Sequence, residues 1–550
     1  MIVEFLLVFC LFVSFAGWGA WAKILTGNKT DSFSLTILLG LSFFGIGTCL
    51  LSFFTALNLF VELILLIFSL IPFFFKKLRI YTTPFPKPLL KSVWFWLLGL
   101  IIILAGSFHP FRPDHFIYYE PTIQWLNRYG LIIGVANIDW NLGQMSVFHI
   151  MQAGLDQTID PFQRIAVFIT IWFLVYIFER KAYLLLFVIP FYFLFIQTPS
   201  PDVAIVFLSL VVVNELCFNY RVDNYSILLL ISVFTFIIKP VAFWLPAWVL
   251  VAGFFLNKKE LKDYRIYLYP MLFVVIFMIK NGMASSTLFY PVSFTQLDTY
   301  WLPNSQILAI SDLRASAYTF DMRFTGDEIS RMTFFQRFYY WLSIDKLQTI
   351  INCFITLTIV AFGIFSFFKK NLLYLSLWLI IIIKAVVVFS FSGQYRFILD
   401  GIYPLLFLIL CPIRIGRTKI FVPGLLYSLL LLVLLGYPPL LKQSIPAFQL
   451  TRWMIGFTKK SLFIPENYAT QKYAKENFGN LPFYISSRIY NYDTPPPAFR
   501  KIELKLYRDH GIFPQMKDPA CIRKGYYMKT LTPEETEELG KIIEKYFPDS

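Results

Sequence analysis

Apolar residues fill long, unbroken blocks of this chain, and polar residues are confined to what lies between them. The apolar runs fall at 2–22, 34–55, 57–75, 92–108, 162–178, 182–198, 202–218, 225–239, 241–256, 264–280, 348–368, 372–391, 396–412 and 419–437. A bilayer crossing takes about 20 such residues, or fewer when polar flanks snorkel, so the pattern predicts about fourteen transmembrane helices. Three long polar stretches interrupt it: 109–161, 281–345 and 442–550. The fold class expected is an all-α polytopic membrane protein with a small C-terminal cap of mixed α/β or irregular structure. Three parts are expected: a three-helix membrane segment over 1–91, a membrane core over 92–441 and a cap domain over 442–550.

Charge then orients the runs. Basic clusters stand at Lys23 and Lys29, Lys76 to Arg79, Arg180-Lys181, Arg221, Lys258-Lys259 with Lys262, Lys369-Lys370, and Arg414 to Lys419. Such clusters mark cytoplasmic loops. With the N-terminus outside, every one of them falls inside in strict alternation. The loops 109–161 and 281–345, the turns near 197–202 and 390–396, and the tail then all face outward. Composition agrees with a membrane protein: 57% of residues are hydrophobic and 15% charged, against about 25% charged in soluble domains. The net charge of +15 sits in short loops and the tail, which is a topology signal and excludes nucleic acid as a partner. The six cysteines show no paired spacing, so neither disulfide nor zinc site is expected. Glu4 stands where a signal peptide carries its basic residues, and no cleaved leader is expected.

The chemistry-bearing residues gather in the outward loops. Three of the four histidines, His109, His115 and His149, lie in 109–161. The candidate acids are Asp114, Glu120, Asp139, Asp156, Asp160 and Asp202. Asp114 follows an apolar run after Pro110 and Pro113, so its carboxylate belongs at the membrane surface, where it can serve as general base for an acceptor hydroxyl. The alternatives are a solvated loop acid or a helix cap. Residues 119–130 read as an amphipathic helix lying in the interface or packing on the spans. Lys239, Lys280 and Arg396 stand at outer helix ends, where they either snorkel or hold a phosphate. Glu62 and Lys384 lie within apolar runs without a partner the sequence reveals. No nucleotide-binding loop is present. No histidine pair has metal spacing, while a divalent cation held by carboxylates leaves no spacing signature. In the tail, Thr532 and Glu535 open a helical pattern with a capping box.

An acid just past a span, in a large outward loop with an interfacial helix, resembles the GT-C membrane glycosyltransferases. The chain is closer to an uncharacterised bacterial family of polytopic proteins with GT-C character, found in Bacteroidetes and Leptospira. The stretches that carry this are DHFIYYEPTIQWLNRYGLIIGVANIDWNLGQMS (114–146), TPSPD (198–202), KNGMASSTLFYP (280–291), QYRF (394–397) and YDTPPP (492–497). Two features depart from it: the acid follows the fourth run and not the first, and Ile138-Asp139-Trp140-Asn141 replaces a more basic turn. The resemblance implies a glycosyltransferase of a bacterial inner membrane. It would take a sugar from a polyprenyl-phosphate donor to a glycan, lipid or protein acceptor on the extracytoplasmic face, with inversion. Asp114 would be catalytic, and Lys280, Arg396, Lys239, His115, Glu120, Asn137 and Asp202 would bind substrate. Other readings are a polymerase or ligase of lipid-linked oligosaccharide, a transporter or flippase of envelope lipids, and a non-catalytic scaffold.

Overall fold

A computed structural model describes residues 1–256, 258–413, 415–467, 472–486 and 490–547; Arg414, at one expected basic cluster, lies outside them. Besides the short helices Lys76–Arg79, Lys87–Leu90 and Pro438–Ser444 and shorter helical turns, the helices in chain order are α1 (Ile2–Thr26), α2 (Phe33–Ser52), α3 (Leu59–Phe74), α4 (Val93–Gly106), α5 (Glu120–Tyr129), α6 (Val147–Ala153), α7 (Ile165–Arg180), α8 (Pro201–Phe218), α9 (Tyr225–Ile238) and α10 (Trp244–Leu256). They continue as α11 (Arg265–Ser285), α12 (Ser305–Tyr318), α13 (Gly326–Arg331), α14 (Phe334–Leu342), α15 (Lys346–Lys369), α16 (Leu372–Ser392), α17 (Leu399–Leu410), α18 (Arg417–Gly436), α19 (Lys501–Asp509) and α20 (Pro533–Tyr546).

Seven helices among the described residues are long and apolar enough to cross a membrane: α1, α2, α8, α11, α15, α16 and α18. By helix length and hydropathy this is a multi-pass membrane protein. Seven of the about fourteen expected spans are shown by these helices. The other apolar runs fold as shorter helices such as α3, α4, α9, α10 and α17, and 182–198 folds as two 3-10 segments, Tyr183–Phe187 and Pro190–Leu194. A helix like α9 rises only about 21 Å, against about 30 Å of hydrocarbon. The physical reason is position. Nearly every residue of α7 and α9 is buried within protein, and a helix surrounded by other helices need not match the bilayer. In contrast α15, α16 and α18 leave Ile350, Leu357, Ile383 and Leu430 exposed.

Local signals fix the ends. Ser32, Asn58 and Ser92 cap α2, α3 and α4 by accepting N–H bonds from Leu35, Val61 and Phe95, satisfying donors that the first turn leaves free. Close packing of α1 on α2 relies on glycine: a Cβ on Gly40 would stand 2.0 Å from the Phe15 carbonyl oxygen.

The alternation of loops is visible as two ends of the bundle. At one end Lys23 donates to the Thr30 carbonyl and Thr83, Asn28 to the Asp223 carbonyl, Tyr269 to the Leu25 carbonyl, and Glu179 accepts from Phe33 and Ser34. These are the basic loops. At the other end Leu131 donates to Ser52, Gly134 to Met283, Ser146 to Ile238 and Trp341 to Gly393. These are the polar loops, and they share one face.

The tail is a small mixed α/β region. β1 (Tyr473–Phe478) pairs antiparallel with β2 (Leu481–Ser486), which pairs in parallel with the short β3 (Ala498–Phe499). β4 (Ile512–Met516) and β5 (Tyr526–Thr530) form a second antiparallel pair. The expected capping box is present: Thr532 and Glu535 cap α20 reciprocally. The tail lies on the polar loops. Tyr526 donates its N–H to the Ile133 carbonyl (3.0 Å), Tyr507 its hydroxyl to Asn137 and Ile138, and Phe116 packs on Tyr490 and Tyr492. Helix α5 is held between tail and bundle, with Ile123, Trp125 and Leu126 buried and Trp125 edge-on to Tyr526; it packs on protein and does not lie free in the interface.

Candidate functional site

Asp114 begins an irregular stretch. The chain leaves α4, passes Pro110 and Pro113, and winds His115–Tyr119 as a π-helix. Such segments are rare and frequently mark functional sites. The Asp114 carboxylate forms an ion pair with Arg396, 282 residues away in the turn before α17. About a fifth of each side chain, 20%, is open to solvent.

A second pair stands beside it. Asp202 sits in the first turn of α8 and Lys239 directly after the last residue of α9. Each therefore occupies the helix end whose dipole favours its charge, and the two form an ion pair. Phe397 joins the pairs: the Lys239 ammonium lies 4.5 Å from its ring centroid and the Arg396 guanidinium 5.0 Å. Arg112, stacked 4.3 Å over Phe195, adds positive charge felt by Asp114. Three cations thus face two carboxylates, leaving one positive charge in excess. Burial alone would raise the Asp114 carboxyl, but Arg396, Arg112 and Lys239 outweigh it and hold it below the usual carboxylate range. Arg396 also keeps an N–H, its buried Nε, without a partner among the described residues. The cluster can therefore accept an anion on Arg396 and offer a carboxylate beside it.

The other expected site residues stand elsewhere. Lys280 is fully buried and donates to the backbone carbonyls of Met145 (2.8 Å) and Gln144 (3.3 Å). It clamps the 109–161 loop and does not reach the Asp114–Arg396 pair. Asn137 is also fully buried; its amide donates to the Trp301 carbonyl at 2.9 Å, and its own carbonyl accepts from Tyr507. It is a structural joint between loops and tail. Glu120 accepts the Asp493 N–H (3.1 Å) and a bond from Gln124, so it fastens the tail. Its carboxyl is pushed up to about 8, chiefly by burial.

The three histidines of the 109–161 loop are buried. Burial lowers His109, takes His115 well below the usual imidazole range, and takes His149 down to about 3. His149 packs on Tyr119 at 4.5 Å, and His115 stands edge-on to Phe116 at 4.9 Å. Among the other acids, Asp139 caps a turn at Asn141 (2.8 Å) and meets Arg500 at 3.5 Å, and Asp160 accepts the Arg164 N–H at 2.7 and 2.9 Å.

The two ionisable residues inside apolar runs also find partners. Glu62, in the first turn of α3, accepts the N–H groups of Gln157 (2.8 Å), Thr158 (3.1 Å) and Ile159 (2.7 Å) and the Thr158 hydroxyl. Lys384 forms a fully buried ion pair with Asp400, whose other oxygen accepts the Trp244 indole N–H at 2.7 Å. Arg112 was missed by the sequence reading. Its signal was local: a base two residues before the acid, between two prolines that fix the turn.

The chain matches a protein family, Domain of unknown function (DUF8201), over residues 1–403, and belongs to it. The match takes in Asp114, Asp202, Lys239 and Arg396. No curated protein and no solved structure matches the chain.

Proposed function

We propose that this member of the DUF8201 family is a glycosyltransferase of a bacterial inner membrane, moving a sugar from a polyprenyl-phosphate donor to an extracytoplasmic acceptor with inversion. The observation that carries the reading is the solvent-accessible Asp114–Arg396 pair, set among excess positive charge on the face where the polar loops gather. An incoming phosphate meets Arg396, Lys239 and Arg112 and competes with Asp114 for the guanidinium. Asp114 is then a carboxylate released from its partner, beside the phosphate it has yielded to. It takes the proton of the acceptor hydroxyl as that oxygen attacks the anomeric carbon. The bond from that carbon to the phosphate oxygen breaks, and the phosphate leaves with the electron pair, stabilised by the three cations. Lys280 has no part in this step.

The test is genetic and chemical. A deletion strain should lose one class of surface glycan, the wild-type chain should restore it, and Asp114→Asn should not, at equal abundance in the membrane. Restoration by Asp114→Asn would overturn the reading. Orientation is checked with reporter fusions: those after Lys77, Lys259 and Lys370 should report cytoplasm, and those after Asn127, Asp321 and Lys472 the outside.

One observation favours a second reading, a transporter or flippase of envelope lipids. The Lys384–Asp400 pair is deep: Lys384 lies about 12 Å along α16 from Ser392, and ionisable groups at such depth often line transport paths. Lipid translocation in vesicles that persists in Asp114→Asn and stops in Lys384→Met would favour it.

A further inference from the structure

We propose that α14 lies in the membrane–water boundary and binds the phospholipid of its own membrane through the flank that carries Phe335 and Tyr339, so that the bilayer holds the turn leading to Arg396. The inference is independent of the glycosyltransferase reading. The helix is short and aromatic. Its nine residues read FFQRFYYWL, and Thr333 and Gln336 cap its start reciprocally. By helical spacing Phe334, Phe338 and Trp341 share one side. That side packs on α16: the three rings lie 5.6, 6.2 and 5.7 Å from the ring of Phe389. Phe335 and Tyr339, one turn apart, face away from it and are 81% and 67% exposed.

Depth points to lipid. The Asn352 side chain donates to the Trp341 carbonyl at 2.7 Å, and Asn352 stands about 9 Å along α15 from its first residue. The end of α14 therefore lies beside the first turns of a helix long and apolar enough to cross a membrane. The Trp341 indole donates to the carbonyl of Gly393 at 2.7 Å, directly after α16, a second such helix. The open flank of α14 thus stands at the level where the exposed apolar residues of α15 begin, with Ile350, Phe354 and Leu357. Charge agrees. The one charged residue of α14, Arg337, turns back to donate to the Ile329 carbonyl at 3.1 Å. Exposed Phe and Tyr rings without a charge among them suit the membrane boundary, where an apolar ring sits in lipid and a hydroxyl reaches water. A helix of this kind buries its apolar flank about 5–10 Å deep. Gly393 stands three residues before Arg396, and its N–H is held by the Thr319 hydroxyl at 2.9 Å. The lipid contact of α14 is in this way passed through Trp341 to the turn that presents Arg396.

The rival occupant is a protein, a second copy of this chain or another. The two are told apart by placing p-benzoyl-L-phenylalanine, a photo-cross-linking relative of both side chains, at Phe335 and, separately, at Tyr339 of the full chain. Intact membranes are irradiated, and the purified chain is read by mass spectrometry. A phospholipid adduct should form at each position and be absent when the same residue replaces Lys541, exposed on α20. Cross-linking to protein in place of lipid, loss of the phospholipid adduct at even one of the two positions, or an equal adduct at Lys541 would overturn the proposal. Coupling to the turn is read in nanodiscs of the same phospholipid. Hydrogen exchange at residues 393–397 should quicken in a chain carrying Phe335→Gln and Tyr339→Gln, which leave the packed side of α14 untouched. An unchanged rate would overturn the coupling.

Discussion

Two ion pairs meet the same short turn and differ in one respect. Arg396 and Asp400 stand four residues apart at the start of α17. Arg396 pairs with Asp114 and both side chains are 20% exposed; Asp400 pairs with Lys384 and both are fully buried. A sealed pair has no partner to exchange. Its Coulomb attraction mostly offsets the cost of desolvating both charges, and it holds geometry. An open pair can trade its partner for a ligand. The turn is thus anchored at Asp400 and presented at Arg396, which is how a rigid element supports a binding side chain.

The largest effect should come from removing the open acid. Asp114→Asn should lower glycan transfer by about 10²–10⁴-fold, the usual loss with a general base. Thermal stability should change little, since Arg396 keeps access to water. Sugar incorporation into the surface glycan, normalised to membrane abundance, measures it. A large fall in abundance with transfer per molecule intact would invert the comparison and make this pair the structural one.

Breaking the sealed pair should act on stability instead. Lys384→Met leaves Asp400 charged and buried, which typically costs about 3–5 kcal/mol. Asp400→Asn in the same chain removes the stranded charge and keeps an acceptor for Trp244, so most of the loss should return. Thermal unfolding in detergent, with the two single variants and the double, measures the recovery. A double variant as unstable as Lys384→Met would show that the pair does more than neutralise itself.

The same contrast explains what the sequence could reveal. Apolar runs and basic clusters are one-dimensional signals, so the helices and the two ends of the bundle were readable. Thr532 with Glu535 is also local, and its capping box is where the spacing put it. Asp114 and Arg396 were both placed on the outer face, and they pair. Lys280 carried the same signal as Arg396, a base at an outer helix end, yet its partners are the carbonyls of residues 144 and 145. Nothing in side-chain chemistry encodes a backbone carbonyl, so its structural role could not be read. Glu62 was opaque for much the same reason, its partners being three backbone N–H groups and one hydroxyl. Helix length failed where burial by protein replaced burial by lipid, as in α7 and α9.

The smallest effect concerns the tail and depends on pH. Glu120 fastens the tail through the Asp493 N–H, and its carboxyl is raised to about 8, first by burial, with the Asp493 N–H and Gln124 pulling back. An acid raised on folding binds its proton more tightly in the folded state. Its contribution is therefore fully present below the unfolded value near 4.5 and is lost as pH rises through about 8. Above that pH the tail contact holds a buried negative charge near Asp493, and docking should loosen. Hydrogen exchange at residues 492–499 should quicken between pH 6 and pH 9 beyond the intrinsic rate. Glu120→Gln, neutral at every pH and still an acceptor, should flatten that dependence without altering glycan transfer at pH 6. The Asp114–Arg396 pair, whose acid is shifted down, adds no titration in this window, so a pH response that survives in Glu120→Gln would have to arise elsewhere in the contact between loop and tail.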